Sequence, residues 1–525
     1  MEGLSLSSGS LVTALGLATV LVFVASKFRS SVVGKLPGPP APSWIYGNLM
    51  QLIFPSIYGE FEFEWQKKYG TVYRIKGLFG EDLLMVSDPV GMQAIMNSHS
   101  FIRAPIQFQK GKLIFGERSV YCAEGNAHRR LRAALNPGFT PAVVKNFRPI
   151  FSEVAQRIVQ GWEQFCSAGS PARINVCDLL DHATLDVISE AALGVPVNTV
   201  ADPKHPLAQT HLHVLSSGLN RSKADIFTEA LLPYIPTFIL LGALRLPTAA
   251  FRAVRSFRSV TDAMSTDIIR SKTEEETLGN DVLSILIKGL SGQRKEKLTP
   301  SELAEQVRLI LLGGQDTSAD TLAWCLHELA KDPDYQEKLR AEIQLHRSRS
   351  DEIDYDSMPL LNALIKETLR FYPPAPYLER AASEDLVIPL GSEVTTASGE
   401  RISQLPVKKG QFIAVAIAAF QREESLWGPD ADKFKPSRWI EGDPYKGKAL
   451  GPYAQLMAFS GGYRVCVGWR FALLEMQIIL AELVLNFSFA SSKDDPVRPL
   501  YAGILLPMTE KDVKGLPLFI ERVSQ

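Results

Sequence analysis

The stretch Phe459-Ser-Gly-Gly462-Tyr-Arg464-Val-Cys466-Val-Gly468 stands directly before a long apolar run, Trp469 to Phe487. A lone cysteine framed by glycines, with an arginine two residues before it, has little value as packing. It reads as a thiolate that holds a metal. Gly461, Gly462 and Gly468 carry no Cβ, so the backbone there can approach a flat cofactor closely. The apolar run reads as a helix. Its first-turn amides and positive dipole end favour a sulfur anion and lower the cysteine pKa. On the loop alone, a buried free cysteine in a glycine-rich turn fits equally well.

Composition narrows the class of protein around that loop. The chain has 525 residues, 46% of them hydrophobic, and its 56 basic and 57 acidic side chains nearly cancel. A nucleic-acid binder would show a basic excess. Length alone suggests several domains at about 150 residues each, yet no linker, repeat or low-complexity stretch appears after residue 43. One large domain over 43–525 is expected, with ample apolar content for its core. The five cysteines, Cys122, Cys166, Cys177, Cys325 and Cys466, include no CxxC. That argues against a disulfide framework and a zinc site, and fits a reducing compartment. Residues 1–8 read as a short lumenal start and 9–26 as a membrane anchor. Gly3 to Ser26 carries no charge, and Leu11 to Ala25 is almost wholly apolar. Lys27, Arg29 and Lys35 follow it, so the bulk of the chain is expected in the cytosol. A cleaved signal peptide is the rival, but no basic segment precedes the apolar run. Residues 27–42 form a basic stop and a stiff hinge, Pro37-Gly-Pro-Pro40-Ala-Pro42.

Helical periodicity dominates the chain, with strands expected at 71–76 and 83–87. Thr299-Pro300-Ser-Glu302 is a capping box with proline at the first helical position, and Asp332-Pro333 ends the helix that it opens. Such a helix is about 48 Å long and crosses the whole domain. In its middle stands Gly313-Gly314-Gln-Asp316-Thr317-Ser318. Each glycine costs a helix about 1 kcal/mol, and breaking a local rule in this way marks function. A glycine pair admitting a close-packed neighbour is the plainer alternative. Glu367 and Arg370 share one face of a helix over 360–371; by themselves they read as a solvated surface pair. Residues 227–251, apolar and interrupted by Pro233, Pro236 and Pro247, fit a core helix pair and a membrane-lying lid equally well. The two N-x-[ST] matches, at Asn220 and Asn486, read as unmodified in a cytosolic domain.

Taken in order from residue 128 to 468, these motifs resemble the cytochrome P450 family of haem–thiolate monooxygenases. The loop matches F-x-x-G-x-R-x-C-x-G at every fixed position. Gly313, Gly314, Asp316 and Thr317 match [A/G]-G-x-[D/E]-T, and Glu367 with Arg370 matches E-x-x-R. Pro436-Ser-Arg438-Trp439 resembles P-x-R-W, with Ser437 where glutamate is usual.

The resemblance implies a mostly α fold with a minor β part, a triangular helical prism with small sheets behind an N-terminal transmembrane helix. It implies haem b with Cys466 as the metal ligand, flanked by Phe459 and Gly468. Arg132, Arg380, Arg464 and His128 would meet the propionates, His128 standing where the family has tryptophan. Glu367, Arg370 and Arg438 would form a buried ionic triad under the loop, and Asp316 and Thr317 would deliver protons to dioxygen. The partners implied are NADPH–cytochrome P450 reductase, O2, a lipophilic small molecule and the endoplasmic reticulum membrane, without nucleic acid. Residues 467–525 are too few for a fused flavin domain, so the electron donor is expected to be a separate protein. The overall likeness is to fungal members, many of which act in secondary metabolism. The alternatives are a haem–thiolate isomerase or dehydratase, which tends to lack the acid–alcohol pair, and a non-enzymatic haem-binding protein, which has no use for the costly central helix.

Overall fold

The structure, a computed structural model, describes residues 32–523 except for 167–169, 220, 275–278, 292–297, 351 and 443. The expected anchor at 9–26 and the sequon residue Asn220 lie outside the described residues. No described helix is long and apolar enough to cross a membrane. The helices that build the site are α1 (Pro105–Ile114), α2 (Gly125–Leu135), α3 (Arg148–Glu163), α4 (Val176–Leu193), α5 (Pro206–Leu219), α6 (Lys223–Leu231), α7 (Pro300–Leu329), α8 (Pro359–Phe371) and α9 (Trp469–Asn486). Strands β1 (Val72–Lys76), β2 (Asp82–Val86), β3 (Phe101–Arg103), β4 (Tyr377–Ala382) and β5 (Phe412–Ala416) form one sheet in the order β1–β2–β5–β4–β3. Its β2–β5 pair is parallel and its other neighbours antiparallel. Strands β6 (Val497–Tyr501) and β7 (Leu505–Thr509) make a hairpin. Helices thus dominate and the sheets are small, in accord with the fold expected of the resemblance.

Helix α7 organises the interior. Its capping box closes: the Glu302 amide donates to Thr299 Oγ1 at 3.3 Å and the Thr299 amide donates to Glu302 Oε2 at 2.8 Å. Leu303, Val307 and Leu311 before the glycines, and Ala319, Leu322 and Leu326 after them, are all out of solvent. Trp324 stacks flat on Tyr372, ring centres 4.2 Å apart and planes 4° from parallel. Helix α9 packs along α3 through Phe471, whose ring meets Phe151 edge-on at 4.9 Å.

The two glycines do different jobs. A Cβ on Gly314 would lie 2.6 Å from Ile188 Cγ1 of α4, so its absence lets the two helices touch. A Cβ on Gly313 would meet nothing within 4 Å. The close-packing reading holds for Gly314, whereas Gly313 borders open space.

The 227–251 segment is not a core helix pair. Phe238 is 75% exposed, and Ile239, Leu241 and Leu246 are exposed beside it. Ile226, Ala230, Leu231 and Tyr234 pack on Tyr46, Leu49, Met50 and Ile53, so the exposed Trp44 and Ile45 lie on the same side of the molecule.

Helix propensity and packing give opposite outcomes at the two glycines. Gly313→Ala should raise stability by about 1 kcal/mol, because the added methyl meets open space. In Gly314→Ala, overpacking of about 1–3 kcal/mol cancels or exceeds that gain. Denaturant unfolding of the two variants beside the wild type checks the order.

Candidate active site

Accessible atoms in the middle of a buried helix mark interior space. Gly313 is exposed and Asp316 and Thr317 half-buried, although Leu311, Gln315, Ser318 and Ala319 around them are closed off. Cys466 shows the same contradiction from the other side. Its surface is exposed, yet surrounding protein pushes its thiol pKa up. Ser318 approaches Glu475 of α9, nine residues beyond Cys466, so α7 and α9 meet directly after the Gly313–Thr317 segment. Cys466 and the Gly313–Thr317 segment of α7 thus each present accessible atoms from otherwise packed surroundings.

The loop is held by protein contacts that correct one expectation. A Cβ on Gly462 (φ 63°) would lie 2.1 Å from the Met96 carbonyl oxygen, and one on Gly461 would lie 2.6 Å from the Leu450 carbonyl oxygen. These two glycines serve close approach within the protein. Gly468 alone of the three has room beside it, its nearest contact being Phe139 at 3.8 Å. The Cys466 amide donates to the Phe459 carbonyl at 2.9 Å.

A second correction concerns the thiol. The dipole of α9 was expected to lower its pKa. Burial instead raises it, opposed by the Gly468 amide and by Arg132. The Gly468 amide thus acts in the expected sense, and burial outweighs it.

Beside the sulfur lies an excess of cations. Arg380 is 3% exposed, and its guanidinium reaches the Glu379 carbonyl at 3.1 Å and Met96 sulfur at 4.0 Å, with no carboxylate partner among the described residues. Burial, then Arg103 and Arg464, bring its pKa down to about 10. Arg103 stands directly opposite Arg380 in the β3–β4 register, where like charges destabilise a sheet. Its guanidinium also lies over the Tyr121 ring at 3.5 Å. Arg464 donates to the Ala123 carbonyl at 2.7 Å and pairs with Glu124 at 2.6 Å, while its Nε is buried with no partner among the described residues. Arg132 has Cys466 as its electrostatic neighbour. His128, edge-on to Tyr463 at 5.6 Å, is held neutral: burial, then Arg464 and Arg132, lower its pKa to about 4. A neutral imidazole still donates one hydrogen bond. Four guanidiniums converge with Glu124 as the one carboxylate paired to any of them among the described residues. A flat dianion with two carboxylates fits this set, since arginine forks bind carboxylates bidentately. Haem b has that chemistry, and Cys466 is an electrostatic neighbour of Arg132. Arg103 escaped the sequence reading because its pairing with Arg380 exists only in the sheet.

Below the loop, Glu367 is fully buried among donors. Arg370 donates from Nε and Nη2 at 2.8 Å each, Arg438 Nε at 3.0 Å, Trp439 Nε1 at 2.9 Å and the Lys435 amide at 2.7 Å. Burial would push this carboxyl up; the Arg370 fork and Arg438 hold it below its ordinary value. Gln421, also missed in the sequence, links this cluster to the loop. Its Nε2 donates to the Leu369 and Arg370 carbonyls, and its Oε1 accepts from the Met457 amide at 2.9 Å. The solvated pair read from Glu367 and Arg370 alone is thus replaced by an ionic cluster with no exposure.

Asp316 and Thr317 diverge around α7. Thr317 Oγ1 donates to the Gly313 carbonyl at 3.0 Å. Asp316 turns to Lys514 and Asp181, and burial pushes its carboxyl up to about 6. It faces a buried ionic cluster.

Comparison with known proteins agrees with this geometry. The cytochrome P450 family model matches residues 37–514. Cytochrome P450 monooxygenase 91 of Postia placenta is 31% identical, over 95% of each chain. A ganoderic acid synthetase of Ganoderma lucidum is 29% identical, over 96% of this chain and 97% of its own. A cytochrome P450 monooxygenase of Hericium erinaceus is 28% identical, over 88% and 89%.

Removing one member of a buried charge cluster leaves the others unpaired, at a cost of about 3–5 kcal/mol. Glu367→Ala should therefore yield little haem-loaded protein, measured as haem absorbance per mole of purified chain.

Proposed function

The chain belongs to the cytochrome P450 family, whose members bind haem through a cysteine thiolate, and from that premise we propose that Cys466 ligates haem b in a monooxygenase that inserts one atom of O2 into a lipophilic small molecule. Bound haem supplies the activation of dioxygen, and thiolate ligation favours O–O cleavage. Two electrons come from NADPH through a separate flavoprotein reductase. The observation that carries the reading is the accessible Cys466 sulfur in its glycine-framed loop, with Arg132 as an electrostatic neighbour and four arginines of which only Arg464 has a carboxylate partner among the described residues.

The chain's own residues divide the work. Arg103, Arg132, Arg380, Arg464 and neutral His128 would hold the two propionates of a bound haem. Gly313 leaves room beside it. Thr317 Oγ1 passes protons without holding charge. Asp316, with its pKa near 6, supplies them, since a carboxyl titrating near the working pH both gives and takes a proton readily. Closed packing on both sides of the Gly313–Thr317 opening limits water to the groups that need it. The acid–alcohol pair favours dioxygen chemistry over the isomerase or dehydratase alternative.

The apolar surface formed by Trp44 (71% exposed), Ile45, Phe238 and Leu246 supports a membrane-facing side that admits lipophilic substrates. With residues 9–26 as the anchor, we place that side on the endoplasmic reticulum membrane and the domain 43–525 in the cytosol. The ganoderic acid synthetase among the relatives supports a role in secondary metabolism.

Carbon monoxide added to the reduced protein should give the red-shifted Soret band of thiolate ligation, and Cys466→Ala should lose it. Product from a lipophilic probe panel should require both NADPH and O2; turnover without oxygen would point to the isomerase. Thr317→Ala should still load haem, but product per NADPH should fall by about tenfold while free peroxide rises. That is less than the factor of about 10² that a positioned acid supplies, because water substitutes in part.

A further inference from the structure

Behind the reacting face of α7 lies a polar cluster that the reaction as described does not use. Lys514, six residues after Met508 in the turn beyond β7, points inward. Its Nζ lies 2.7 and 3.0 Å from the two Asp181 oxygens and 2.9 Å from Asp320 Oδ1. Asp181 belongs to α4, and Asp320 stands one turn beyond Asp316 on the same face of α7. The side chains of Lys514, Asp181 and Asp320 are each at most 10% exposed.

Charge balance decides what this cluster can be. Three carboxylates, Asp181, Asp316 and Asp320, share one ammonium. Fully ionised they would leave two uncompensated charges in the interior, so the cluster retains a proton. Asp181 accepts two hydrogen bonds from Lys514 and is the natural anion. Asp320 is close to Nζ, yet neither of its oxygens receives a well-aligned hydrogen bond among the described residues. Burial, with Asp181 and Asp316 adding to it against Lys514, pushes Asp320 up to about 8. Lys514 stays charged: its carboxylate neighbours raise its pKa well above the ordinary value in spite of burial. The other titratable groups facing the cluster are Cys177, His182 and Asp178, all on α4. Burial raises the Cys177 thiol and lowers His182, so both stay neutral. Asp178 is exposed, one turn before Asp181.

We propose that Asp320 stores the proton that Asp316 delivers, and that Asp181, Lys514 and Asp178 connect the store to solvent. The proton leaves the Asp320 O–H for the Asp316 carboxylate. Asp320 is then a carboxylate beside the Lys514 ammonium, and it is reprotonated from solvent through Asp178 and Asp181. No electron moves and no charge is created. Asp320 acts through Asp316 and touches no reacting atom. The inference rests on the role proposed above for Asp316.

Infrared spectra of the haem-loaded full chain, titrated from acid to alkaline pH, test it. A protonated carboxyl C=O band should vanish with a midpoint near 8, and Asp320→Asn should remove it. Lys514→Met should shift the midpoint upward, and Lys514→Arg should restore it. Glu475 is pushed into the same range by burial, without a lysine among the groups that shift it, so dependence on Lys514 together with loss in Asp320→Asn assigns the band. Thermal melting gives a second readout. Unfolded Asp320 ionises near about 4 and the folded one near 8, so the folded wild type holds an extra proton between those values. Its melting temperature should fall relative to Asp320→Asn as pH rises through that window. A Lys514-dependent band with that midpoint that survives Asp320→Asn, or melting profiles that run parallel, overturns the store. Asp316→Asn with unchanged peroxide yield overturns the delivery role of Asp316, and the store's purpose with it, while leaving the Asp320 band in place.

Discussion

Arg370 is a guanidinium fully removed from water, and the position of the catalytic sulfur follows from how its donors are met. Nε and one Nη2 hydrogen go to Glu367, Nη1 goes to the Gln421 and Ala431 carbonyls, and Nη2 reaches the Lys433 carbonyl, each at 2.7 or 2.8 Å. A rigid fork that gathers three carbonyls fixes the path of the chain from 421 to 433. Gln421 then holds the Met457 amide, and the Phe459 carbonyl holds the Cys466 amide. A hydrophobic cluster of the same volume could match this one in stability. It could not gather carbonyls, which is why charge is retained here.

The parts of this chain that were legible in the sequence are those whose chemistry is local. The capping box at Thr299 needs four residues and formed as read. The helix after Cys466 follows from a continuous apolar run, and β1 and β2 lie within a residue of the strands expected. The buried state of Glu367 and Arg370 was not legible from spacing, because i,i+3 charges look alike in water and in a core; only the family resemblance pointed inward. Gln421 and Arg103 could not be found, since each acquires meaning from a neighbour remote in sequence. Gly461 and Gly462 were read as making room for a cofactor. They make room for the Leu450 and Met96 carbonyls, a distinction that needs the fold.

The error over the thiol has a general physical cause. A helix N-terminus stabilises an anion by about 0.3–1 kcal/mol at exposed sites. Desolvation of a charged group in an interior is larger, and it acts on the same atom. Sequence displays the first effect as a helix beginning at Trp469. It shows nothing of the second, which depends on what surrounds the sulfur in three dimensions.

The two sides of α7 carry opposite imbalances of charge. Towards the sulfur, Arg103, Arg132, Arg380 and Arg464 outnumber Glu124. Towards β7, three carboxylates outnumber Lys514. Each excess is resolved by a different species. Surplus carboxylate is neutralised by a proton, which is small, exchangeable and needed in the reaction. Surplus guanidinium cannot be neutralised in that way, because arginine does not release its proton at any working pH. It has to be met by a bound anion. Arg103 and Arg380, opposed across β3 and β4, repel each other, and a bound dianion would relieve that repulsion and stabilise the sheet edge. The same helix thus separates a cation-rich wall that retains its ligand from an acid-rich wall that exchanges its own.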